Sequence, residues 1–178
     1  ASYDKELKEN QYVTLVRCAQ ILSEYFNNKK IKILDIGCGT GLSGDSLKKL
    51  GFKRIDGLDL SEKMLKIAVE KKIYQSIFNL DLNNLHDFKK KYDAIIAVGV
   101  ISPAHAEADT IINSYSLLNK NGIMIFSIND HALNDAHFFQ AINKSIKQSR
   151  FILLDQIYGD HIKGLKLNSS IFILKKTE

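Results

Sequence analysis

An acidic residue and three alternating glycines follow a short apolar run in the first quarter of the chain. Residues 33–41 read ILDIGCGTG, which places Asp35 before glycines at Gly37, Gly39 and Gly41. The apolar run predicts a strand, the glycines predict a tight turn, and a helical pattern follows. This arrangement is typical of sites for nucleotide-type ligands, because glycine leaves room for a ligand and the first N–H groups of the helix face it.

The same glycines are compatible with two ligand classes. Residues 39–44 also match the pattern G-x-G-x-x-G of dinucleotide-binding proteins. Asp35 argues against a dinucleotide, because a carboxylate close to a pyrophosphate would repel it. The same carboxylate suits a cationic ligand that carries an amino group and a sulfonium.

The full pattern resembles the first motif of the class I S-adenosylmethionine-dependent methyltransferases, which reads like residues 34–41, LDIGCGTG. The resemblance covers about residues 31–130. It implies S-adenosylmethionine as the cofactor and S-adenosylhomocysteine as its product. The cofactor-binding candidates in this motif are Asp35, Gly37, Cys38, Gly39 and Gly41.

Asp59 ends the next predicted strand, about 20 residues after the glycines, where an acidic residue accepts hydrogen bonds from ribose hydroxyls. Residues 57–64, GLDLSEKM, resemble the second motif of the same family. Leu60 and Met64 are candidates to flank the adenine, although Met64 would serve equally well as a core residue of its helix. The alternative for Asp59 is a helix cap or a surface acid, but Ser61 is available as the cap.

Asp81 and Leu82 follow the third predicted strand. In the family, an acidic residue at this point often accepts a hydrogen bond from the adenine amino group, and a neighbouring backbone N–H reaches the ring. Asp81 is the candidate acceptor and Leu82 the candidate backbone donor. An equal alternative is that Asp81 caps a helix over residues 82–90.

The loop after the fourth predicted strand should lie beside the transferable methyl group, because ligands bind beyond the carboxyl ends of parallel strands. Val98 ends this strand and is a cofactor-binding candidate. His105 is the candidate general base, since imidazole titrates near neutral pH, and the alternative is a histidine at the start of a helix. His131 and His137 lie near the same rim in the predicted topology, but no ligand spacing supports a metal site.

Two further segments, residues 92–105 and 118–123, resemble the small methyltransferase-like proteins of the Williams-Beuren region and their microbial relatives. Residues 102–105, SPAH, lack the Asn/Asp-Pro-Pro-aromatic pattern of enzymes that methylate base amino groups. This difference argues against that subclass. A shallow cleft with no inserted lid favours a small-molecule acceptor, and a peptide or an RNA end stays an alternative.

The order of predicted elements indicates a doubly wound, Rossmann-like α/β fold. Strands alternate with helices, which predicts a mostly parallel sheet covered on both faces, and two final strands with a short connection predict an antiparallel hairpin at its edge. We expect seven strands in one methyltransferase domain over residues 1–178. Its predicted parts are an N-terminal helix (1–30), a cofactor-binding core (31–130) and a C-terminal helix with the edge hairpin (131–178). Within these parts, helices are predicted over residues 4–27, 105–118 and about 131–148, and a loop near 159–168.

Composition narrows the classes of function. The 178 residues are 45% hydrophobic and 25% charged, which is ordinary for a globular protein. The net charge of +5 suggests nucleic acid, but the lysines are scattered along the sequence, which favours a solvated surface instead. No apolar run is long enough for a membrane span, the polar start predicts no signal peptide, and two cysteines do not form a disulfide framework. We expect a cytoplasmic monomer or homodimer.

The sequence therefore predicts methyl transfer from S-adenosylmethionine to a small molecule by direct displacement. Three alternatives stay open at this point: other chemistry on the same cofactor, a non-catalytic cofactor-binding subunit, and an NAD-dependent oxidoreductase.

Overall fold

The computed structural model describes residues 2–103 and 107–178. In these ranges the helices are α1 (Ser2–Glu9), α2 (Thr14–Tyr25), α3 (Leu42–Lys49), α4 (Glu62–Glu70), α5 (Asp109–Tyr115), α6 (Asp130–Leu133) and α7 (Ala136–Gln148). The strands are β1 (Lys32–Ile36), β2 (Arg54–Asp59), β3 (Ser76–Asn79), β4 (Tyr92–Ala97), β5 (Leu118–Asn129), β6 (Ile152–Ile162) and β7 (Leu167–Lys175). Short 3₁₀ helices cover Leu82–Asp87 and Lys163–Leu165.

The strands form a seven-stranded sheet in the order β3-β2-β1-β4-β5-β7-β6. The pairs from β3 through β5 are parallel, whereas β7 runs antiparallel to both β5 and β6. This confirms the predicted Rossmann-like α/β fold with its C-terminal antiparallel hairpin. The strand order reverses between β1 and β4, and ligands of such sheets bind beyond the carboxyl ends of the strands at this point.

Helices cover both faces of the sheet. Neighbouring side chains of β1 point to opposite faces, so Ile33 belongs to one apolar cluster and Leu34 to the other. The cluster around Ile33 includes Leu22 of α2, and the cluster around Leu34 includes Ile111 of α5 and Ile142 of α7. All of these side chains are essentially inaccessible to solvent. This burial on both sides holds the strand ends, and therefore the loops that follow them, in fixed positions.

The chain before β1 folds as two helices, whereas its apolar spacing predicts one helix over residues 4–27. The break falls at Gln11, whose φ of 54° lies in the left-handed region. Just beyond it, the N–H of Val13 donates to the carbonyl of His161 at 2.9 Å, which ties the chain to the end of β6. Helical periodicity is a local signal, so it cannot predict a break that a distant strand stabilises.

Three boundaries in the second half of the chain also differ from the predictions. The helix predicted over 131–148 divides into α6 and α7, because the carboxylate of Asp135 accepts from the N–H of Phe138 at 3.0 Å and caps a new helix. The segment predicted as a loop over 159–168 instead extends the hairpin, since β6 pairs with β7 as far as Ile162. The helix predicted over 105–118 is shorter among the described residues, since α5 ends at Tyr115 and β5 begins at Leu118.

Candidate functional site

A cavity of about 490 Å³ opens at the carboxyl edge of the sheet, where the strand order reverses. Its walls come from the loops that follow β1, β2, β3 and β4, and from the chain before β1. The lining residues are Leu7, Tyr12, Leu15, Gly37, Cys38, Gly39, Thr40, Leu42, Ser43, Asp59, Leu60, Ser61, Met64, Asp81, Leu82, Val98, Gly99 and Val100. Volumes of roughly 300–1,000 Å³ are typical of small-molecule and cofactor sites.

The glycine motif forms a tight loop between β1 and α3. The N–H groups of Gly37 and Cys38 both donate to the carbonyl of Leu58, at 2.8 and 3.0 Å, and the N–H of Gly41 donates to the carbonyl of Cys38 at 2.8 Å. Gly37, Gly39 and Gly41 have φ values of 66°, 53° and 94°, which side chains disfavour. The loop therefore turns sharply and delivers its backbone to the cavity.

Two glycines of this loop are required for different reasons. A Cβ on Gly37 would overlap the side chain of Val100, so glycine at this position allows two loops to pack together. A Cβ on Gly39 would have no atom of the described residues within 4 Å. Gly39 therefore presents bare backbone to open space, which leaves room for a ligand. Gly41 begins α3 and is not among the residues that line the cavity.

Asp59 lines the cavity and fastens two loops to each other. One carboxylate oxygen accepts from the N–H of Gly39 at 2.8 Å, and the other accepts from the N–H of Ser61 at 2.8 Å. The hydroxyl of Ser61 accepts from the N–H of Met64 at 3.4 Å, so Ser61 caps α4. Each carboxylate oxygen keeps a further lone pair after these contacts. The bond between Gly39 and Asp59 joins the two sequence motifs, and neither motif alone predicts it.

The structure does not bring Asp35 to the wall of the cavity. Its side chain is fully buried beneath the glycine loop, where one carboxylate oxygen accepts from the hydroxyl of Ser43 at 2.5 Å and from that of Tyr74 at 2.6 Å. The other oxygen makes no hydrogen bond to a described residue. Burial raises the pKa of Asp35 to about 6, against the lowering effect of the two hydroxyls. Asp35 therefore supports the loop from below, a correction to the expected direct contact with a cationic ligand.

Leu60, Met64, Asp81 and Leu82 all line the cavity, and their contact with a cofactor stays a prediction. Asp81 also caps the 3₁₀ helix, because its carboxylate accepts from the N–H of Asn83 at 3.0 Å. The position of Asp81 is thus compatible with both hypotheses, a helix cap and an acceptor for the adenine amino group. Leu60 is 62% exposed, so its side chain has no core to fill.

The loop after β4 contributes Val98, Gly99 and Val100 to the lining of the cavity. The N–H of Gly99 donates to the hydroxyl of Ser127 at 3.0 Å, which ties this loop to β5. His105 lies outside the described residues. His131 and His137 are not among the described residues that line the cavity, and the described chain contains no group of three or more His, Cys, Asp or Glu side chains able to hold a metal ion.

The N-terminal part of the chain forms part of the cavity wall, which the sequence does not predict. Leu7, Tyr12 and Leu15 lie in its lining. The carboxylate of Asp4 accepts from the hydroxyl of Thr40 and from the ammonium of Lys71, each at 2.5 Å, and so fastens α1 to the glycine loop and to the end of α4. Burial alone would raise the pKa of Asp4, but these two donors outweigh it and hold the pKa below its usual value.

A family model described as a methyltransferase domain matches residues 9–165. The chain belongs to this family. The match confirms the methyltransferase class predicted from the glycine motif, whereas the resemblance to the Williams-Beuren type stays a prediction. No helix in the described part of this methyltransferase domain is long and apolar enough to cross a membrane.

Similar proteins include a methyltransferase of Geobacillus sp. strain WCH70, which is 31% identical over 76% of this chain and 60% of that protein. The malonyl-[acyl-carrier protein] O-methyltransferase of Halalkalibacterium halodurans is 34% identical over 62% of this chain and 45% of that protein. The crystal structure of magnesium protoporphyrin IX methyltransferase from Synechocystis PCC 6803 with bound S-adenosylmethionine has a TM-score of 0.75 at 21% identity and covers 97% of this chain and 83% of that chain. The chain thus spans about half the length of the two curated relatives, and the solved structure has the same fold.

Proposed function

We propose that this methyltransferase domain binds S-adenosylmethionine in the cavity and transfers its methyl group to a small-molecule acceptor. The observation that carries the proposal is the joint placement of the Gly39 backbone and the Asp59 carboxylate on one wall of a covered cavity. Family membership supports the same activity.

The lining fits the parts of this cofactor. Bare backbone at Gly39 leaves room for the ligand, and the free lone pairs of Asp59 can accept from two ribose hydroxyls. Leu60 and Met64 supply apolar surface for the flat adenine, with Asp81 as the acceptor for its amino group and Leu82 as the backbone donor. Asp35 acts indirectly in this proposal, by holding Ser43 in the wall of the cavity.

S-adenosylmethionine supplies a methyl group on a positively charged sulfur, which an acceptor takes in line as the thioether leaves. The residues of the chain contribute position and shielding from water, because fixing two reactants in one geometry removes much of the barrier to their reaction. Val98, Gly99 and Val100 form the wall beside the acceptor in this arrangement. Where the acceptor is a hydroxyl, we propose His105 as the base that takes its proton.

The covered shape of the cavity favours a small acceptor. Leu7, Tyr12 and Leu15 line it on the N-terminal side, and the Asp4 contacts hold α1 against the glycine loop. The two relatives named for their substrates act on malonyl-[acyl-carrier protein] and on magnesium protoporphyrin IX, so the family does not fix the acceptor.

Calorimetric titration with S-adenosylmethionine, S-adenosylhomocysteine and NADH tests the cofactor. Asp59→Asn keeps the side-chain volume but replaces one acceptor by an amide donor that faces a backbone N–H. We expect micromolar binding of the first two ligands and about tenfold or greater weakening in the variant, since hydrogen bonds to charged groups contribute about 1.5–3 kcal/mol each. Glu24→Gln on the exposed surface of α2 is the matched control and should bind like the unmodified protein.

Turnover is then measured as S-adenosylhomocysteine formed with a panel of small hydroxyl, carboxyl and amine acceptors. Product that depends on one acceptor class supports the proposal. Binding of NADH alone would overturn the choice of cofactor, and tight cofactor binding without product from any acceptor would favour a binding subunit instead.

A further inference from the structure

A second groove, of about 400 Å³, lies at the opposite edge of the sheet from the cofactor cavity. Lys32, Arg54, Ser76 and Tyr92 are the first residues of β1, β2, β3 and β4, and all four line it. Because these strands are parallel, their first residues meet at the amino edge, whereas the cofactor cavity lies at the carboxyl edge. The groove is therefore separate from the proposed active site.

The lining of this groove is strongly cationic. It contains Lys32, Arg54, Lys90 and Lys91, and a single carboxylate, Asp56, among its described residues. Asp56 is already neutralised, since it accepts from the hydroxyl of Tyr92 at 2.9 Å and pairs with the ammonium of Lys90 at 3.3 Å. The parallel strand order thus places lysines that are far apart in the sequence next to each other at one edge of the sheet.

Two of these cations are available to an incoming ligand. The ammonium of Lys32 makes no hydrogen bond or ion pair within the described part of the chain, and Arg54 makes one long contact, from Nη1 to the carbonyl of Lys30 at 3.5 Å. Both side chains are exposed. By contrast, Lys91 donates to the carbonyl of Ser116. Lys32 and Arg54 also stand side by side, because they are paired in the register of β1 and β2.

The surroundings strengthen the positive potential. Lys30, Lys53 and Lys89 are exposed and adjoin the groove-lining segments along the chain. The nearby carboxylate of Asp93 is occupied, because it accepts from the backbone N–H of Lys32 and from the side-chain amide of Asn119, each at 2.8 Å. Clefts lined by one sign of charge focus the potential and raise the local concentration of counter-ions.

We propose that this groove is a binding site for an anion that carries several phosphate groups. Lys32 and Arg54 would make charge-assisted hydrogen bonds to phosphate oxygens, for which the planar guanidinium is well suited. The hydroxyl of Ser76 and the amide of Gln75, which also line the groove, supply neutral donors at its wall. Several cations around one concave space match several negative charges better than they match a single carboxylate.

The test is calorimetric titration with sodium tripolyphosphate. We expect micromolar binding that weakens as salt is raised from about 50 to 200 mM, since ion contacts of this kind are screened. The double variant Lys32→Ala/Arg54→Ala should bind about tenfold or more weakly, because each charge-assisted contact is a strong one. Lys144→Ala/Lys147→Ala, which removes the same charge from the exposed side of α7, is the control and should leave the affinity within about twofold.

ATP and a short single-stranded RNA distinguish the sources of the phosphate groups. Equal affinity for tripolyphosphate and ATP supports the proposal and indicates that the ligand is a free polyphosphate. Tighter binding of RNA also supports the proposal and indicates that the ligand is the phosphate backbone of a nucleic acid. The proposal is overturned when none of the three binds, or when the groove variant and the control weaken binding equally. Circular dichroism melts of both variants check that the fold is intact. We expect an intact fold, because the side chains of Lys32 and Arg54 are exposed.

Discussion

The hydroxyl of Tyr74 provides the sharpest test of the support beneath the glycine loop. Tyr74→Phe removes one of two donors to the buried carboxylate of Asp35, a hydrogen bond of 2.6 Å, and leaves the ring in place. The ring packs closely against Gly44 and Gly57, because a Cβ at either position would come within 2.6 or 3.1 Å of it, and phenylalanine keeps this packing. The variant thus isolates one hydrogen bond from the packing around it.

The expected loss of stability depends on pH. The folded pKa of Asp35, about 6, lies above the usual aspartate value of 3.8. The free energy of unfolding therefore falls as pH rises through this window, and the full penalty is present above it. Because the Tyr74 hydroxyl lowers the pKa of Asp35, its removal moves this pKa higher and extends the fall. Losing a hydrogen bond to a neutral carboxyl costs about 1 kcal/mol, and losing one to a carboxylate costs about 1.5–3 kcal/mol.

Urea unfolding followed by circular dichroism at pH 5 and pH 8 measures both values. We expect Tyr74→Phe to lower the free energy of unfolding by about 1 kcal/mol at pH 5 and by about 2–3 kcal/mol at pH 8. Tyr25→Phe is the control, since Tyr25 is 42% exposed, and it should be neutral at both pH values. An equal loss at the two pH values would refute the reasoning, because it would mean that the partner of Tyr74 does not titrate in this range.

Three further predictions concern the cavity. Gly39→Ala places a methyl group in the open space of the site at a φ of 53°. We expect loss of S-adenosylhomocysteine binding by calorimetry, with a fall in the free energy of unfolding of only about 1–2 kcal/mol. Unchanged affinity would contradict the role of this backbone. Asp4→Asn weakens the link from α1 to Thr40 and Lys71. Because the side chains of Asp4 and Lys71 are each 27% exposed, we expect the free energy of unfolding to fall by less than about 1 kcal/mol. Cofactor dissociation in stopped-flow measurements should become several-fold faster, and an unaltered rate would argue that α1 does not retain the cofactor. His105→Ala should leave cofactor affinity intact and reduce turnover of a hydroxyl acceptor by about 100-fold or more, whereas full activity would exclude this residue as the base.

The fold follows from the sequence to a large extent because its strands are short, apolar and separated by strong turn signals. Residues 33–36 and 94–98 are buried on both faces, which is the pattern of central parallel strands. The break at Gln11 and the full length of the β6–β7 hairpin depend on contacts between the two ends of the chain. No local propensity encodes such contacts, so the sequence predicts one helix and a loop in their place.

Most of the candidate site could also be located from the sequence, because glycine spacing and strand ends fix where the backbone turns. Asp59, Met64 and Leu82 reach the cavity as expected. The sequence could not indicate Tyr74 or the cover by Leu7, since each acts through an element remote from the glycine motif. Side-chain direction explains the correction at Asp35: a strand alternates its faces, and this carboxylate points beneath the loop that follows it.

Asp35 and Asp59 stand at the ends of neighbouring parallel strands, and their surroundings separate their tasks. Asp35 meets two hydroxyl donors in a buried space, where burial and then the charge of Asp59 favour its protonated form. Asp59 lies at the cavity, where its two carboxylate oxygens each accept from a backbone N–H group at 2.8 Å. One acid therefore supports the loop from below, and the other stands in the wall of the cavity. Asp35 belongs to the first motif and Asp59 to the second, and of the two only Asp59 lines the cavity.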